Sequence, residues 1–396
     1  MIDNGARFFA AAFRGFGLES EALPLETMKS LELGRKLTRG SECLPTAATL
    51  GVLAQVIQER GLDPSKQALF MPTAEGPCRF GQYATCHRLA LEKTGLDDIA
   101  ILSPSSYNTY MGLPEGLRRY LWDVILCADL FTKLGCRLRP YEAEEGSVDG
   151  MLGAQEAALM RALESRMDLL PVFRSAVKAL EGVELKKTRK PLVGIVGEIY
   201  VRSNSFCNGK VIRAIERYGG EAWLSPISEW ILYTSETAKR CAWAGTTINM
   251  FSSPLDAAKL WLKDRFLHSV EHKFYKAADS ILRDRHEPPI GEVIDAGERY
   301  IPVEFEGEAI LTIGRAVKFI DQGAAMVVSA NPFGCMPGTI SAACLAEVQR
   351  ATGVPIVNMF YDGEESINDK LASFIGNLST RLEARQAAAR TSHAAL

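Results

Sequence analysis

The chain has 396 residues, 47% hydrophobic and 23% charged, which is enough to bury a sizeable core without disulfides and corresponds to two or three domains. Lys plus Arg number 45 against 48 Asp plus Glu, and the resulting net charge of -3 supplies no basic field for a nucleic-acid partner. No run approaches the roughly 18 unbroken apolar residues of a membrane span, and the first residues lack the cationic and apolar regions of a signal peptide. A soluble, cytoplasmic protein with no nucleic-acid or membrane partner is expected.

Short runs rich in Val, Ile and Leu recur, each followed by a small or polar turn and then a helical pattern, which predicts the α/β class with mostly parallel sheet. Leu50, Leu53, Ala54 and Ile57 follow helical spacing within 46–60, and Gly61 ends that run. Residues 68–71 and 99–102 read as buried strands. From 112 to about 187 the pattern is helical and charged. The basic run Lys186-Lys187-Thr188-Arg189-Lys190 ends in Pro191 and directly precedes a buried strand over 192–196, so a domain boundary is placed there. A helix near 209–217, a strand over 221–224, helices over about 230–285 and strands over 325–328 and 354–359 follow, and the tail from 380 reads as a frayed helix. The expected organisation is a first α/β lobe over 1–145 and a helical connector over 146–190. A second α/β lobe spans 191–380 with a helical insertion at about 230–285, followed by a tail over 381–396.

Nine cysteines, odd in number and widely spaced, argue against a disulfide framework. Three of them share a local grammar. Cys43 precedes a helix, Cys78 and Cys335 each lie between a strand and a helix, and all three have Gly and Pro neighbours. In an open parallel sheet such turns gather at the carboxyl edge, where ligands bind, and a helix amino terminus is expected to lower a thiol's pKa toward the thiolate that a metal requires. Cys86, Cys127, Cys136, Cys241 and Cys344 fall within helical patterns and read as core filler. Cys207 is intermediate, either an extra ligand or a neighbour of the site. Three thiolates fit a four-iron, four-sulfur cluster with one open iron, or a zinc site completed by His87, although no C-x-x-C occurs in the chain.

Other signatures fail. Gly15-Phe16-Gly17 lacks the third glycine of a dinucleotide fingerprint, and there is no phosphate-binding G-x-x-x-x-G-K-[ST]. His268 and His272, one helical turn apart, read as a solvated face. Ser103-Pro104-Ser105-Ser106, Arg202-Ser203-Asn204 and Tyr361-Asp362-Gly363 each follow a strand and read first as turn chemistry, second as the lining of a crevice.

The segments Gly40-Ser41-Glu42-Cys43-Leu44-Pro45, Gly76-Pro77-Cys78-Arg79-Phe80-Gly81-Gln82-Tyr83 and Pro332-Phe333-Gly334-Cys335-Met336-Pro337-Gly338 resemble the iron–sulfur dehydratase-like superfamily. That superfamily includes the 2-hydroxyacyl-CoA dehydratase subunits and the double-cubane cluster proteins. More closely, the chain resembles the carboxyl-terminal part of the fused proteins called acyl-CoA dehydratase activase-related. Gly197-Glu198-Ile199-Tyr200-Val201-Arg202-Ser203-Asn204, Trp223-Leu224-Ser225-Pro226 and Tyr361-Asp362-Gly363 fit that subgroup too, so the likeness runs from about residue 30 to 375.

The resemblance implies two flavodoxin-like lobes with helical additions and an iron–sulfur cluster in the cleft, of four-iron or double-cubane eight-iron type. Its ligands would be Cys43, Cys78 and Cys335, with Cys207 a neighbour. It also implies an ATP-hydrolysing activator of the actin-like fold that delivers one electron at very low potential, and a thioester substrate whose ketyl radical eliminates water. The fused relatives carry an activator region and a second dehydratase-like half, so this chain is expected to work with an activator and a companion dehydratase-like subunit or a second copy of itself. The expected function is the iron–sulfur subunit of an ATP-activated, oxygen-sensitive reductase or dehydratase. The alternatives are an electron-transfer or scaffold subunit without its own substrate, and a two-lobed small-ligand-binding protein without metal.

Overall fold

The computed structural model describes residues 3–106, 108–244, 254–363 and 365–394. It is a mixed α/β protein with two parallel sheets. The amino-terminal part contains α1 (Gly5–Gly15), α2 (Met28–Leu37), α3 (Leu44–Arg60), β1 (Ala68–Phe70), α4 (Tyr83–Glu92) and β2 (Ala100–Leu102). Three long helices follow, α5 (Glu115–Leu138), α6 (Ser147–Glu164) and α7 (Leu169–Leu180). Next come β3 (Leu192–Gly197), α8 (Ile199–Ser203), α9 (Val211–Arg217), β4 (Glu221–Leu224), α10 (Ser228–Ala244), α11 (Pro254–Ala277), α12 (Asp279–Leu282) and α13 (Ile290–Glu298). The chain then runs through α14 (Glu308–Asp321), β5 (Met326–Pro332), α15 (Met336–Thr352), β6 (Ile356–Tyr361) and α16 (Leu371–Ala394). Between α10 and α11, part of the helical insertion expected at 230–285 lies outside the described residues, as do the side chain of Cys241 and most side chains of the tail.

The larger sheet has the order β4-β3-β5-β6, and every pairing is parallel. Its strands alternate with helices because parallel neighbours need crossovers. β4 lies on one side of β3 and β5 on the other, so the strand order reverses between β3 and β5. The crevice outside the carboxyl ends of those two strands is therefore the topological switch point, the place where open α/β sheets bind ligands. At the end of β3, Gly197 has φ +115°, and a Cβ there would lie 2.1 Å from the Ala330 carbonyl oxygen of β5. Only glycine fits both that conformation and that approach.

The smaller sheet pairs β1 with β2 over three residues each. The sequence predicts two buried strands here, but Ala68, Ala100 and Leu102 are exposed, because a two-stranded sheet has an edge on either side. Leu69 and Ile99 are buried, in a small core with Cys43, Leu50, Leu53, Ile57, Tyr83 and Leu91.

The largest core joins α1, α5, α6, α7 and α10 to α14 with one face of the four-stranded sheet, through residues such as Phe8, Phe131, Phe173, Val196, Phe274, Phe319 and Val327. Within the segment 146–190, α6 and α7 turn their apolar faces into this core. Buried charges tie the layer together. Asp129 of α5 accepts the main-chain N–H groups of Ile227 (2.9 Å) and Ser228 (2.8 Å) at the start of α10. Lys133 pairs with Glu287, and Arg315 with both Glu287 and Glu229. Arg137 and Arg285 both reach Glu221 of β4.

The opposite sheet face forms a second core with α2, the start of α3, α9 and α16. Helix α3 is buried on two sides for this reason. Leu44, Ala47 and Ala48 enter the core of the large sheet, whereas Leu50, Leu53 and Ile57 enter the core of the small one. Its contact with α2 is close enough that a Cβ on Gly51 would lie 1.9 Å from the Ser30 carbonyl oxygen. Gly61, in the left-handed region at φ 59°, ends the helix as its sequence predicts. Among the described residues no helix is long and apolar enough to cross a membrane.

Candidate functional site

Each of the three singled-out cysteines is the N-cap of a helix. Cys43 caps α3, whose second residue is Pro45, and Cys335 caps α15, whose second residue is Pro337. Cys78 caps the short 3-10 turn Arg79–Gln82 that leads into α4. Proline suits the first turn of a helix, where no N–H partner is needed. The remaining free N–H groups turn toward sulfur: Phe80 N–H lies 3.5 Å from Cys78 Sγ and Gly338 N–H 3.3 Å from Cys335 Sγ. Cys43 has a side-chain partner instead, the Tyr83 hydroxyl at 2.7 Å.

Tertiary contacts bring the Cys43 and Cys78 turns together. The guanidinium of Arg79, beside Cys78, donates to the Ser41 carbonyl, two residues before Cys43. Pro77 packs on the loop before α14, where a Cβ on Gly307 would lie 3.3 Å from its ring. Cys78 is near enough to Cys43, and Cys335 to Cys78, for the charge of one sulfur to raise the pKa of the next.

Two carboxylates face the same crevice. Glu198, directly after β3, caps α8 by accepting the N–H groups of Tyr200 (3.0 Å) and Val201 (2.9 Å). Glu308, in the first turn of α14, is buried and pairs with Arg202 at 3.2 Å. Arg202 also donates to the main-chain carbonyls of Gly197 and Pro226. Both carboxyls are pushed above the usual range, first by burial. Glu308 rises further because Glu198 lies close by, while the two N–H bonds to Glu198 favour its charged form. At Glu308 the Arg202 guanidinium opposes the rise.

The thiol pKa values run opposite to the sequence expectation. Burial pushes Cys43 up, Cys78 up to about 12 and Cys335 higher still, with Glu198 and Glu308 adding to the rise at Cys78 and Cys335. The N-cap position and the N–H bonds oppose this shift, but desolvation and neighbouring negative charge outweigh them. In the polypeptide alone the three thiols are neutral near pH 7, and a bound cation would have to displace their protons.

His87, the zinc alternative, is fully buried. Its Nδ1 contacts the Tyr83 carbonyl at 2.6 Å and its Nε2 the Thr49 hydroxyl at 3.0 Å, so both ring nitrogens are engaged. Among the described residues no three His, Cys, Asp or Glu side chains are grouped to hold a single metal ion. A donor set of three sulfurs from three chain segments, each with a hydrogen-bond donor beside it, matches the chemistry of iron–sulfur ligation, in which hydrogen bonds to sulfur help to set the potential.

Cys207 packs in the core of the large sheet with Tyr200 and Val211. Cys127 lies in the helical core, Cys136 in the second core, and Cys344 packs against the first; Cys86 sits half-buried on α4. His268 contacts Glu271 at 3.2 Å on α11. Of the strand-end segments, Arg202 enters the crevice and Asn204 bonds to buried Glu26 at 2.8 Å, while the Asp362 carbonyl accepts from Arg35 of α2. Ser105 and Asn108 close a turn on each other.

Glu198, Glu308 and Tyr83 escaped the reading of the sequence as site residues. For Glu198 a signal existed, a charged residue at the carboxyl end of a fully apolar strand; for Glu308 there was none. The chain matches no known protein family, no curated protein and no solved structure.

Proposed function

We propose that this chain is the iron–sulfur subunit of an ATP-activated, low-potential reductase or dehydratase, its two parallel sheets being the centres of two flavodoxin-like lobes. The observation that carries this reading is that Cys43, Cys78 and Cys335, 292 positions apart at the extremes (335 minus 43), each cap a helix, Cys335 at the end of β5 beside the switch point of the larger sheet, and that Cys78 lies within charge range of the other two. Cys43, Cys78 and Cys335 would hold the cluster, four-iron or double-cubane, with Cys207 behind them in the core. Such a cluster supplies one-electron chemistry at low potential when bound.

The chain's own groups have definable parts in that setting. Phe80 N–H, Gly338 N–H and the Tyr83 hydroxyl stand next to the three sulfurs and stabilise negative charge on them. Arg202 pairs with Glu308 and fixes its carboxyl in the crevice. Phe333, 70% exposed, and Met336, 41% exposed, flank Cys335 and leave an apolar rim beside it. That rim suits a protein partner, here the ATP-hydrolysing actin-like activator, with a companion dehydratase-like subunit or a second copy completing the assembly. A 2-hydroxyacyl-CoA thioester that loses water after a one-electron reduction is the substrate class in keeping with this reading.

Anaerobic purification and reconstitution, followed by iron and acid-labile sulfide analysis, test the proposal. Stoichiometric iron and sulfide that are lost on Cys335→Ala, with the fold retained, are expected. A well-folded protein that takes up neither would refute it. Acyl-CoA esters that alter the EPR signal of the loaded protein would mark a catalytic subunit, and esters without effect a relay.

A further inference from the structure

The turn Thr109–Gly112, the start of α5 and the first half of α11 meet at a surface that holds none of Cys43, Cys78 and Cys335. Lys263 Nζ lies 3.5 Å from the Tyr110 hydroxyl, and the Arg118 guanidinium 5.0 Å from the centre of the same ring. The Arg119 guanidinium stands 5.4 Å from the ring of Phe266. On α11 the positions 258, 261, 262, 265 and 266 form one exposed stripe at helical spacing, with Asp264 and Leu267 buried on the opposite side. Farther along, Ser269, His272 and Lys273 continue the stripe as an ordinary solvated face. Its first part is different. Trp261 is 54% and Leu262 60% exposed, Phe266 is exposed beside them, and Met111 is exposed on the turn.

The charges around these side chains are unbalanced. Glu115 pairs with Arg119, and Asp264 is buried and engaged by Lys239 and the Ser235 hydroxyl. Arg118, Lys263 and Arg265 have no carboxylate partner among the described residues and stand over aromatic rings instead, Arg265 at 5.3 Å from that of Trp261. Three cations are thus in excess on one face of a chain whose net charge is -3. The turn is itself held in a costly form. Thr109, Tyr110 and Met111 have φ 52°, 56° and 51°, successive left-handed residues that each carry a Cβ. Such a run persists only where its surroundings fix it, and here it sets Tyr110 between Arg118 and Lys263 and leaves Met111 at the surface.

We propose that this surface docks an acidic, amphipathic segment of a partner protein, with apolar anchors on Trp261, Leu262 and Phe266 and carboxylates on Arg118, Lys263 and Arg265. Aromatic residues, Met and Arg are the side chains enriched where proteins meet, and a few of them carry most of the binding energy. The excess of positive charge selects an acidic partner and disfavours a basic one. It also disfavours a second copy of the chain, since a symmetric pair would set the same cations against each other. A bilayer is the poorer fit because interfacial helices bind through a broad apolar face, whereas here Arg265 stands between Trp261 and Phe266 on the stripe. The inference is independent of the cluster reading.

Fluorescence anisotropy of the full chain with a labelled helical peptide, Leu at i, i+3, i+4 and i+7 and Glu elsewhere, tests it. A counterpart with Lys in place of Glu and vesicles of phosphatidylcholine and phosphatidylserine are the controls. The Glu peptide is expected to bind, less tightly as salt rises, and the Lys peptide is not. Trp261→Ala should weaken the Glu peptide roughly 30-fold or more. Arg118→Glu combined with Arg265→Glu should weaken it and remove the salt dependence. Both variants change exposed side chains, so their thermal midpoints should equal the parent's. The proposal is overturned by absence of Glu-peptide binding at millimolar concentration, by the Lys peptide binding as tightly, or by an affinity that the variants retain. Vesicle binding or self-association of the chain that Trp261→Ala abolishes would also overturn it, by giving the surface to a membrane or to a second copy.

Discussion

Replacing Arg202 by Leu removes the one cation paired with Glu308 among the described residues and leaves the main-chain carbonyls of Gly197 and Pro226 without their guanidinium donor. Breaking a buried pair by deleting one partner costs about 3–5 kcal/mol, because the other charge stays buried and unpaired. That range already includes much of the cost of the two orphaned carbonyls, so the terms are not summed. The loss should depend on pH, and its sign follows from the direction of the Glu308 shift. In the folded protein the carboxyl pKa lies above its unfolded value, so the folded state binds more protons between the two values and stability falls as pH rises through that window. Without Arg202 the folded pKa rises further and the window widens. A more readily bound proton offsets part of the loss at lower pH, so the destabilisation should be smaller at pH 6 than at pH 8. Urea unfolding of both proteins at the two pH values, under reducing conditions, measures this directly. A loss at pH 8 below about 1 kcal/mol, or one that does not change with pH, would refute the buried ion pair between Arg202 and Glu308.

Other consequences are as specific. Tyr83→Phe removes the hydroxyl partner of Cys43, whose bond favours the thiolate, so the pH at which Cys43 alkylation reaches half its maximal rate should move upward; an unchanged midpoint would show that the 2.7 Å contact does not persist in solution. Gly197→Ala places a Cβ 2.1 Å from the Ala330 carbonyl oxygen at φ +115°. It should cost about 3 kcal/mol or more in chemical denaturation, and a cost below 1 kcal/mol would mean that the β3–β5 approach is looser than described. Gly51→Ala drives α3 away from α2, where its Cβ would meet the Ser30 carbonyl at 1.9 Å. A loss of about 1–3 kcal/mol is expected, and a thermal midpoint equal to the parent's would contradict the close helix contact.

The α/β class, most strand positions of the larger sheet and the placement of Cys43, Cys78 and Cys335 at helix entrances were legible in the residues, because each depends on neighbours in sequence. A run such as Leu192-Val193-Gly194-Ile195-Val196 is apolar on both faces and can be little other than a buried strand; Cys335 followed by Met336-Pro337-Gly338 carries its own start signal for a helix. The small sheet was less legible. Its three-residue strands look as apolar as those of the large sheet, and nothing local says that each is paired on one side alone.

What the amino-acid sequence determined by itself is therefore a set of local facts: which segments are strand or helix, where helices begin, and which cysteines sit at those beginnings. Three matters were decided only in the folded chain. The order β4-β3-β5-β6 sets the crevice beside Glu198 and Cys335, because strand order depends on crossovers that span many residues. Arg202 meets Glu308 across 106 positions, an encounter that no periodicity encodes. The direction of the thiol pKa shifts also belongs to tertiary structure, since a helix amino terminus acts locally while desolvation and the charges of Glu198 and Glu308 act through space, and at Cys78 and Cys335 the through-space effects are the larger.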